Sequence, residues 1–261
     1  MLNKLKNIFS SGGSKPSVAL TTQTSSFAPK QPLYIIGDVH GCATLLDKML
    51  DRIDVHGVTN NVINPMLILV GDYVDRGPQS AQVLERIYTL QQDTPERVIC
   101  LMGNHEKMML DFIDDPAGGG NRWLKFGGGD TLKSYGIKVP GKKADIEDLT
   151  EASIELESAM PKGLQAWLRA LPLTFQSGNI ACVHAAMDPS SSPDKQSSRI
   201  LLWGHPDFMS EARVDDLWVA HGHTIVKSAA CQNSRIALDT GAYRTGRLSV
   251  AAVSGGHCTF L

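Results

Sequence analysis

Three apolar runs in the first half of the chain each end abruptly in a block of glycine and polar residues. The runs cover residues 33–36, 66–70 and 98–102 and are rich in Ile, Leu and Val. Short continuous apolar runs are typical of strands buried on both faces of a parallel sheet. The stretches near residues 43–53, 80–91 and 105–113 are predicted to be helices. The first half of the chain is therefore predicted to alternate strands with helices.

The second half of the chain is predicted to consist mostly of strands. Short apolar runs lie at residues 173–175, 180–183, 217–220, 235–239 and 248–253. Between the two halves, two glycine triplets at 118–120 and 127–129 predict an irregular region, and residues 144–158 are predicted to be helical. We expect residues 115–160 to form a cap insertion beside the sheet edge, with Trp123 packing it onto the domain. The pattern as a whole predicts two packed sheets flanked by helices.

The first 30 residues differ from the rest in composition. They are rich in Ser and Thr, and a stretch of this kind cannot bury a core. We therefore expect residues 1–30 to be a flexible segment and residues 31–261 to form one domain. No apolar stretch approaches the roughly 20 residues that a membrane-spanning helix needs, so no transmembrane segment is expected.

The polar blocks after the first three strands carry the residues with the most chemical meaning. Their sequences are Gly37-Asp38-Val39-His40-Gly41, Gly71-Asp72-Tyr73-Val74-Asp75-Arg76-Gly77 and Gly103-Asn104-His105-Glu106. The carboxyl ends of parallel strands meet at one edge of a sheet, and ligands bind there in open α/β sheets. Carboxylate, imidazole and amide oxygen together suit Mn, Fe or Zn. The sequence therefore predicts a metal site at this edge.

In their order along the chain, these blocks resemble the motifs GDxHG, GDxVDRG and GNHE of the metallophosphoesterase superfamily, and within it of the bacterial phosphoprotein phosphatases. Two later segments, Val183-His184-Ala185 and His221-Gly222-His223-Thr224, fit the same resemblance. It runs from about residue 33 to the end of the chain. It implies a four-layer α/β/β/α sandwich of two mixed β-sheets flanked by helices.

The resemblance also implies two divalent metal ions and their ligands. Asp38, His40 and Asp72 would hold the first metal, and the second would be held by Asp72, Asn104, His184 and His223. Asp72 would bridge the two ions, which lie about 3.5–4 Å apart in two-metal hydrolases. Mn is the metal that we expect, with Fe, Zn, Ni or Co as alternatives.

The resemblance implies catalysis by direct attack on phosphorus of a hydroxide that bridges the metals, without a phosphoenzyme. His105 would protonate the leaving oxygen, and Asp75 would hold the other nitrogen of its ring. Arg76 would bind the phosphate oxygens, and Asn104 would contact the substrate as well as the second metal.

Two further residues are candidate substrate contacts. Bacterial relatives carry an arginine after an apolar segment that ends in Trp, and here His205 stands at that position, after Leu202-Trp203-Gly204. Arg199 or Arg213 are alternatives for the missing guanidinium. Tyr243 lies in a predicted turn that returns towards the metals and is expected either to line the substrate pocket or to pack.

The charge and cysteine content of the chain limit the partners and the cellular compartment that we expect. The formal net charge of −2 gives no electrostatic reason to expect nucleic acid as a partner. The five cysteines are an odd number and form no CxxC pair. Scattered cysteines of this kind predict reduced thiols in a cytoplasmic protein.

These features together predict a dinuclear-metal-dependent phosphomonoesterase, specifically a serine/threonine phosphoprotein phosphatase. Its substrate would be a phosphorylated protein or a small phosphate ester. The alternative enzyme is a hydrolase of dinucleoside polyphosphates such as diadenosine tetraphosphate, which uses the same metal core. A third alternative is a non-catalytic scaffold on the same fold.

Overall fold

A computed structural model describes residues 26–141 and 144–261 of the protein. Its strands form two five-stranded sheets. The first sheet contains β1 (Leu33–Ile36), β2 (Met66–Leu69), β3 (Val98–Cys100), β9 (Val250–Ser254) and β10 (His257–Phe260). The second contains β4 (Thr174–Ser177), β5 (Ile180–Val183), β6 (Trp218–His221), β7 (Ala230–Gln232) and β8 (Arg235–Ala237).

Both sheets mix parallel and antiparallel pairs. The first has the order β10-β9-β1-β2-β3, in which β1, β2 and β3 are parallel. The second has the order β4-β5-β6-β8-β7, in which β5, β6 and β8 are parallel. The three parallel strands are adjacent in each sheet, so the loops that follow them all leave from its carboxyl edge. The predicted β-α-β-α-β alternation at the start of the chain is confirmed.

Helices cover the outer face of each sheet. They are α1 (Ala43–Thr59), α2 (Ser80–Asp93), α3 (Asn104–Asp114), α4 (Pro116–Trp123), α5 (Gly129–Ser134), α6 (Ile146–Ala159), α7 (Leu164–Arg169), α8 (Ser198–Trp203) and α9 (Ala242–Thr245). One buried cluster joins the first sheet to helices α1 to α7, another fills the space between the sheets, and a third joins the second sheet to α8. This arrangement is the four-layer α/β/β/α sandwich, and the predicted fold class is confirmed.

The region that the glycine triplets predict to be irregular is mostly helical, with one break. Helix α4 is extended by residues 124–126, Gly127 breaks the helix with φ of 115°, and α5 begins two residues later. The Asp115 carboxylate accepts a hydrogen bond from the Gly118 N–H at 3.0 Å, and Pro116 occupies the first turn of α4. Trp123 is fully buried against the Phe112 ring, with centroids 4.8 Å apart. A good cap and a buried aromatic side chain thus outweigh the poor helix propensity of glycine.

Part of the segment predicted to be flexible contacts the domain. Phe27 forms an isolated bridge with Gly256, and its ring lies 4.3 Å from that of Trp218. Ala28 N–H donates to the Asn179 side chain at 2.7 Å. The rest of the predicted segment, residues 1–25, lies outside the described residues. Among the helices of the described ranges, none is long and apolar enough to cross a membrane.

Candidate metal and phosphate site

Loops from both sheets meet at their carboxyl edges and bury a cluster of acidic, amide and imidazole side chains. The loops after β1, β2 and β3 carry the three motif blocks, and the loops after β5 and β6 carry the two late histidines. The residues that we predict to bind metal are all at most 4% exposed except His223, which is partly buried: Asp38, His40, Asp72, Asn104, His184 and His223.

Asp72 lies at the centre of this cluster. Its Oδ2 is 3.4 Å from His40 Nε2 and 3.9 Å from His105 Nε2. Its Oδ1 is 3.2 Å from His184 Nε2. Two groups of side chains therefore share this one carboxylate, and each has a spacing that suits a metal ion: His40, Asp72 and His105, and Asp72, His184 and His223. Asp72 thus lies between the two groups, where a carboxylate shared by two cations would lie.

The Asn104 side chain contacts both histidines of the second group. Its Oδ1 lies 2.8 Å from His184 Nε2 and 2.9 Å from His223 Nδ1. Asn104 begins α3, where Gly103 precedes it with extended backbone. The start of α3, shortly after the end of β3, thus places the amide oxygen of Asn104 between both imidazole rings.

Hydrogen bonds to the backbone orient two of the imidazole rings. His40 Nδ1–H donates to the Val74 carbonyl at 2.8 Å, and His184 Nδ1–H donates to the Val70 carbonyl at 3.0 Å. These bonds place the proton on Nδ1 and leave the Nε2 lone pair pointing into the cluster, as in many metal sites. Burial lowers the pKa of His40 to about 3 and lowers that of His184, so both rings are neutral.

The polar atoms of the cluster fit divalent cations. The lone pair of His184 Nε2 faces two oxygens, from Asp72 and Asn104, that are themselves acceptors. Asp38 accepts the His223 N–H at 2.9 Å through Oδ2, while its buried Oδ1 has no hydrogen-bond partner. Acceptors that face one another without a proton between them are stabilised by a cation. Oxygen and imidazole nitrogen donors of this kind suit borderline divalent metals.

The carboxylates show the same need for positive charge. Burial raises the pKa of Asp38 well above its usual range, and the neighbouring Asp239 and Asp72 raise it further. Burial also raises the pKa of Asp239, whose Oδ2 has no hydrogen-bond partner. Burial acts to raise the pKa of Asp72, but His184, His105 and His40 lower it, and the net shift is downward. For Asp38 and Asp239, whose pKa values burial raises, a cation beside the carboxylate would stabilise the charged form.

Glu106 fastens two of the motif loops to each other. Its Oε2 accepts the N–H groups of Asp72 and Gly103, both at 2.9 Å. Its Oε1 accepts the N–H groups of Tyr73 at 2.7 Å and Val74 at 3.1 Å. The carboxylate thus satisfies four backbone donors, which fixes the loop after β2 against the start of α3.

The loops that carry the cluster have unusual backbone angles. Among the described non-glycine residues with positive φ are His40, Asp72, Asp75, Arg76 and His223. Such residues store backbone strain and concentrate at functional sites. Gly71 has φ of 104°, and a Cβ there would lie 2.7 Å from the Gly103 backbone. Only glycine permits this close approach of the two loops.

His105 is held by a buried network that reaches into the 116–134 region. His105 Nδ1–H donates to Asp75 Oδ2 at 2.6 Å. The Trp123 indole N–H lies 2.9 Å from the same oxygen, and the Thr131 hydroxyl donates to Asp75 Oδ1 at 2.6 Å. Burial opposes protonation of His105, but Asp72 and Asp75 raise its pKa overall. Trp123 therefore does more than pack the insertion onto the domain: it positions Asp75.

Arg76 and Tyr243 lie together beside the cluster. Arg76 Nη1 donates to His40 Nε2 at 2.9 Å, and its guanidinium carbon lies 5.1 Å from the centre of the Tyr243 ring. The Tyr243 ring contacts His40 edge-on, with centroids 5.4 Å apart. The Arg76 N–H donates to the Gly127 carbonyl. The guanidinium thus lies at the border between the cluster and the 116–134 region.

The structure leaves His205 outside the contacts of this cluster. His205 Nδ1 accepts the Asp207 N–H at 3.3 Å, and the ring lies within electrostatic range of Asp188. Arg213 donates to the carbonyls of Asp188 and Ser191 and pairs with the Asp215 carboxylate. Arg213 is thus committed to holding the 188–191 loop and is a poor substitute for the missing arginine. Arg199 is exposed on α8.

Sequence reasoning missed four residues that support the site: Glu106, Trp123, Thr131 and Asp239. Glu106 ends the third motif block and could have been recognised from it. Trp123 and Thr131 lie 48 and 56 positions from Asp75 and carry no local signal. Asp239 ends a predicted strand, as Asp38 and Asp72 do, and that position was the available signal.

The fold and this ligand cluster define a metal-dependent phosphoesterase. The model of the calcineurin-like phosphoesterase family matches residues 31–257, and the chain belongs to this family. The predicted membership of the metallophosphoesterase superfamily is confirmed.

Curated relatives are similar over most of the chain. Asymmetrical bis(5'-nucleosyl)-tetraphosphatase PrpE of Geobacillus sp. (strain WCH70) is 28% identical over 244 residues, which are 82% of this chain and 87% of the relative. The enzyme of the same name from Oceanobacillus iheyensis is 26% identical over 226 residues, 79% of this chain and 82% of the relative. A symmetrical bis(5'-nucleosyl)-tetraphosphatase of Pseudomonas syringae pv. tomato is 30% identical over 165 residues, 62% of this chain and 43% of the relative.

Two solved structures share the fold at 18% identity. One, provisionally named a diadenosine tetraphosphatase, has a TM-score of 0.60 and covers 91% of this chain and 98% of its own. The cold-active protein-tyrosine phosphatase of a psychrophilic Shewanella has a TM-score of 0.57 and covers 98% of this chain and 89% of its own. At this identity the two structures are evidence of the fold alone.

The prediction of a serine/threonine phosphoprotein phosphatase is wrong. The PrpE relatives, which align over most of both chains, are named as tetraphosphatases, and this corresponds to the alternative stated from the sequence. The reason is that the five motif blocks describe the metal and phosphate core, and that core serves substrates of several kinds.

Proposed function

We propose that the protein hydrolyses dinucleoside polyphosphates such as diadenosine tetraphosphate. The observation that carries this proposal is the set of tetraphosphatase relatives that span about four fifths of the chain. The site supports it, because a ligand cluster for two cations lies next to a guanidinium and a buried imidazole. Such a set of groups suits cleavage of a bond to phosphorus in a polyanionic chain.

We assign the metal ligands from the geometry together with the family resemblance. The geometry groups Asp72 with His40 at one cation and with His184 and His223 at the other. The resemblance adds Asp38 to the first ligand set, in place of the nearby His105, and Asn104 to the second. Two divalent cations, for which Mn is our proposal, would neutralise phosphate charge and make hydroxide available near neutral pH.

The remaining groups act on the phosphate and the leaving group. Arg76 would bind phosphate oxygens with its planar fork of donors and stabilise the charge that builds up in the transition state. His105 would donate its Nε2 proton to the leaving oxygen while Asp75 holds Nδ1. Tyr243, which lies under the Arg76 guanidinium, would line the substrate pocket. His205 and Asn104 remain our candidates for further substrate contacts.

The basicity of the leaving group determines how much His105 contributes to the reaction rate. Cleavage of a dinucleoside polyphosphate releases a nucleotide phosphate, whose second pKa is about 6, so it departs with little need of a proton. A positioned acid typically contributes a factor of about 10²–10⁴ when the leaving group is strongly basic. We therefore expect loss of His105 to slow this reaction by about 10² or less.

We also propose that the described part of the insertion, residues 115–141 and 144–160, forms a wall beside the substrate. Gly127 contacts Arg76 through the backbone, and Trp123 reaches Asp75. These contacts attach the insertion to the groups that would face the phosphate chain, so its shape would influence which substrates fit.

The test is product analysis after incubation of the metal-loaded protein with diadenosine tetraphosphate. Ion-exchange chromatography should show nucleotide release that depends on added Mn and is lost in Asp72→Asn. ATP with AMP would match the asymmetrical relatives, and ADP alone would match the symmetrical ones. Intact substrate after incubation with folded protein that contains two metals per chain would refute the proposal and favour the scaffold.

A further inference from the structure

Two cysteines outside the candidate site meet at one edge of the sandwich. Cys231 lies on β7, the edge strand of the second sheet, and Cys258 lies on β10, the edge strand of the first. Both pack against the buried cluster between the sheets. The two thiols are neighbours, and each shifts the pKa of the other. The contact therefore joins two strands that no backbone hydrogen bond connects.

Strand register explains why both thiols point into the same space. Cys231 lies opposite Ile236, and Cys258 lies opposite Val253, each in an antiparallel pair. Residues directly opposite each other in such a pair project from the same face of the sheet. Ile236 and Val253 both belong to the buried cluster between the sheets. Each cysteine is thus directed towards the other sheet.

The exposure and the pKa of the two thiols favour a reaction between them. Both are partly exposed, whereas Cys100 and Cys182 are buried. The neighbouring Cys258 lowers the pKa of Cys231, and Cys231 raises the pKa of Cys258. Cys231 is therefore the thiol that ionises first, and the thiolate is the nucleophilic form. Cys258 is the neighbouring thiol that can resolve an oxidised Cys231.

We propose that Cys231 and Cys258 form a disulfide when the protein meets a peroxide, and that this bond links the two sheets. The Cys231 thiolate would attack hydrogen peroxide, forming a sulfenic acid and releasing hydroxide. The Cys258 thiol would then attack the sulfenic sulfur, forming the S–S bond and releasing water. Overall, two thiols and one peroxide give one disulfide and two waters.

The link would join the two halves of the candidate metal site. The first sheet carries the loops of Asp38, Asp72 and Asn104, and the second carries the loops of His184 and His223. A bond between residues 231 and 258 would close a loop in the unfolded chain and lower its conformational entropy, which stabilises the folded protein. We expect the oxidised protein to melt roughly 5 °C or more above the reduced protein. This expectation is independent of the substrate.

The test uses the full chain with one equivalent of hydrogen peroxide. In denaturant, titratable thiols should fall from five to three, and the intact mass should fall by two hydrogen atoms. Peptide mapping without reductant should identify the Cys231–Cys258 link. Cys231→Ser and Cys258→Ser should each abolish the link and the rise in melting temperature. Cys42→Ser, which removes another partly exposed thiol, should change neither.

Several outcomes would overturn the proposal. One is a disulfide that forms only after the protein is unfolded, and another is a link between two chains. A third is oxidation of Cys231 to the sulfinic acid in the parent protein, which would show that Cys258 does not resolve the sulfenic acid. Melting curves that are the same before and after formation of the link would contradict its stabilising role.

Discussion

Substitution of Trp123 by phenylalanine removes one donor from the network behind His105. Asp75 is fully buried and accepts the Trp123 indole N–H at 2.9 and 3.1 Å from its two oxygens. It keeps its bonds from His105 and Thr131, both at 2.6 Å. Phenylalanine preserves an aromatic ring against Phe112, so the change is confined to the indole N–H and the volume of the second ring.

The size of the effect follows from the charge of the acceptor. A hydrogen bond to a charged group contributes about 1.5–3 kcal/mol, and because Asp75 keeps two donors we take about 2 kcal/mol. For a domain of this size that loss lowers the melting temperature by roughly 4–8 °C. If most of it appears as poorer placement of Asp75 and His105, kcat falls about 10- to 30-fold, since 1.4 kcal/mol corresponds to a factor of about ten.

Trp167→Phe is a matched control. The Trp167 indole N–H donates to the Gln91 side chain at 2.8 Å, and the ring packs on Tyr88 away from the cluster. A neutral bond contributes about 0.5–1.5 kcal/mol, so this variant should lose some stability and no turnover. Thermal melts and kcat for diadenosine tetraphosphate are measured for both variants and the parent. A Trp123→Phe kcat that falls no more than that of Trp167→Phe would refute the positioning role.

Three further predictions concern the site. Asp72→Asn should lose bound metal and turnover while staying folded. Asp114→Asn, which changes an exposed pair with Arg169, should keep both metal and turnover. Elemental analysis that finds two metals per chain in Asp72→Asn would exclude the bridging role. Glu106→Gln leaves one acceptor oxygen for four backbone donors, so the free energy of unfolding should fall by about 2–6 kcal/mol. An unchanged thermal melt would mean that the two loops do not depend on the Glu106 carboxylate. His205→Ala should raise KM with little change in kcat, and steady-state kinetics with an unchanged KM would remove His205 from the substrate contacts.

Much of the fold could be predicted because its strands are encoded locally. Continuous apolar runs identified β1, β2, β3 and β5 to within a few residues, and the polar blocks marked where the strands end. The short edge strands β7 and β10 were missed, because their exposed residues carry no apolar run. The helices of the 116–134 region were missed for a different reason. Their stability comes from tertiary packing of Trp123 and Leu132, which a glycine-rich local sequence does not reveal.

The candidate site could be predicted in part. The family resemblance named six ligands, and the structure places them in one buried cluster, although their roles remain predictions. It could not name Trp123 or Thr131, since these residues reach Asp75 only through the fold. It also gave the wrong substrate, because substrate choice depends on the loops around the metal core and not on the motif blocks.

The most direct test of the central claim compares two substrates under identical conditions. We predict that the Mn-loaded protein has a kcat/KM for diadenosine tetraphosphate at least about 100-fold above that for a phosphoserine peptide, a difference of about 2.7 kcal/mol in transition-state stabilisation. Both reactions should disappear in Asp72→Asn, which shows that one site is measured. Equal values, or a higher value for the peptide, would contradict the account.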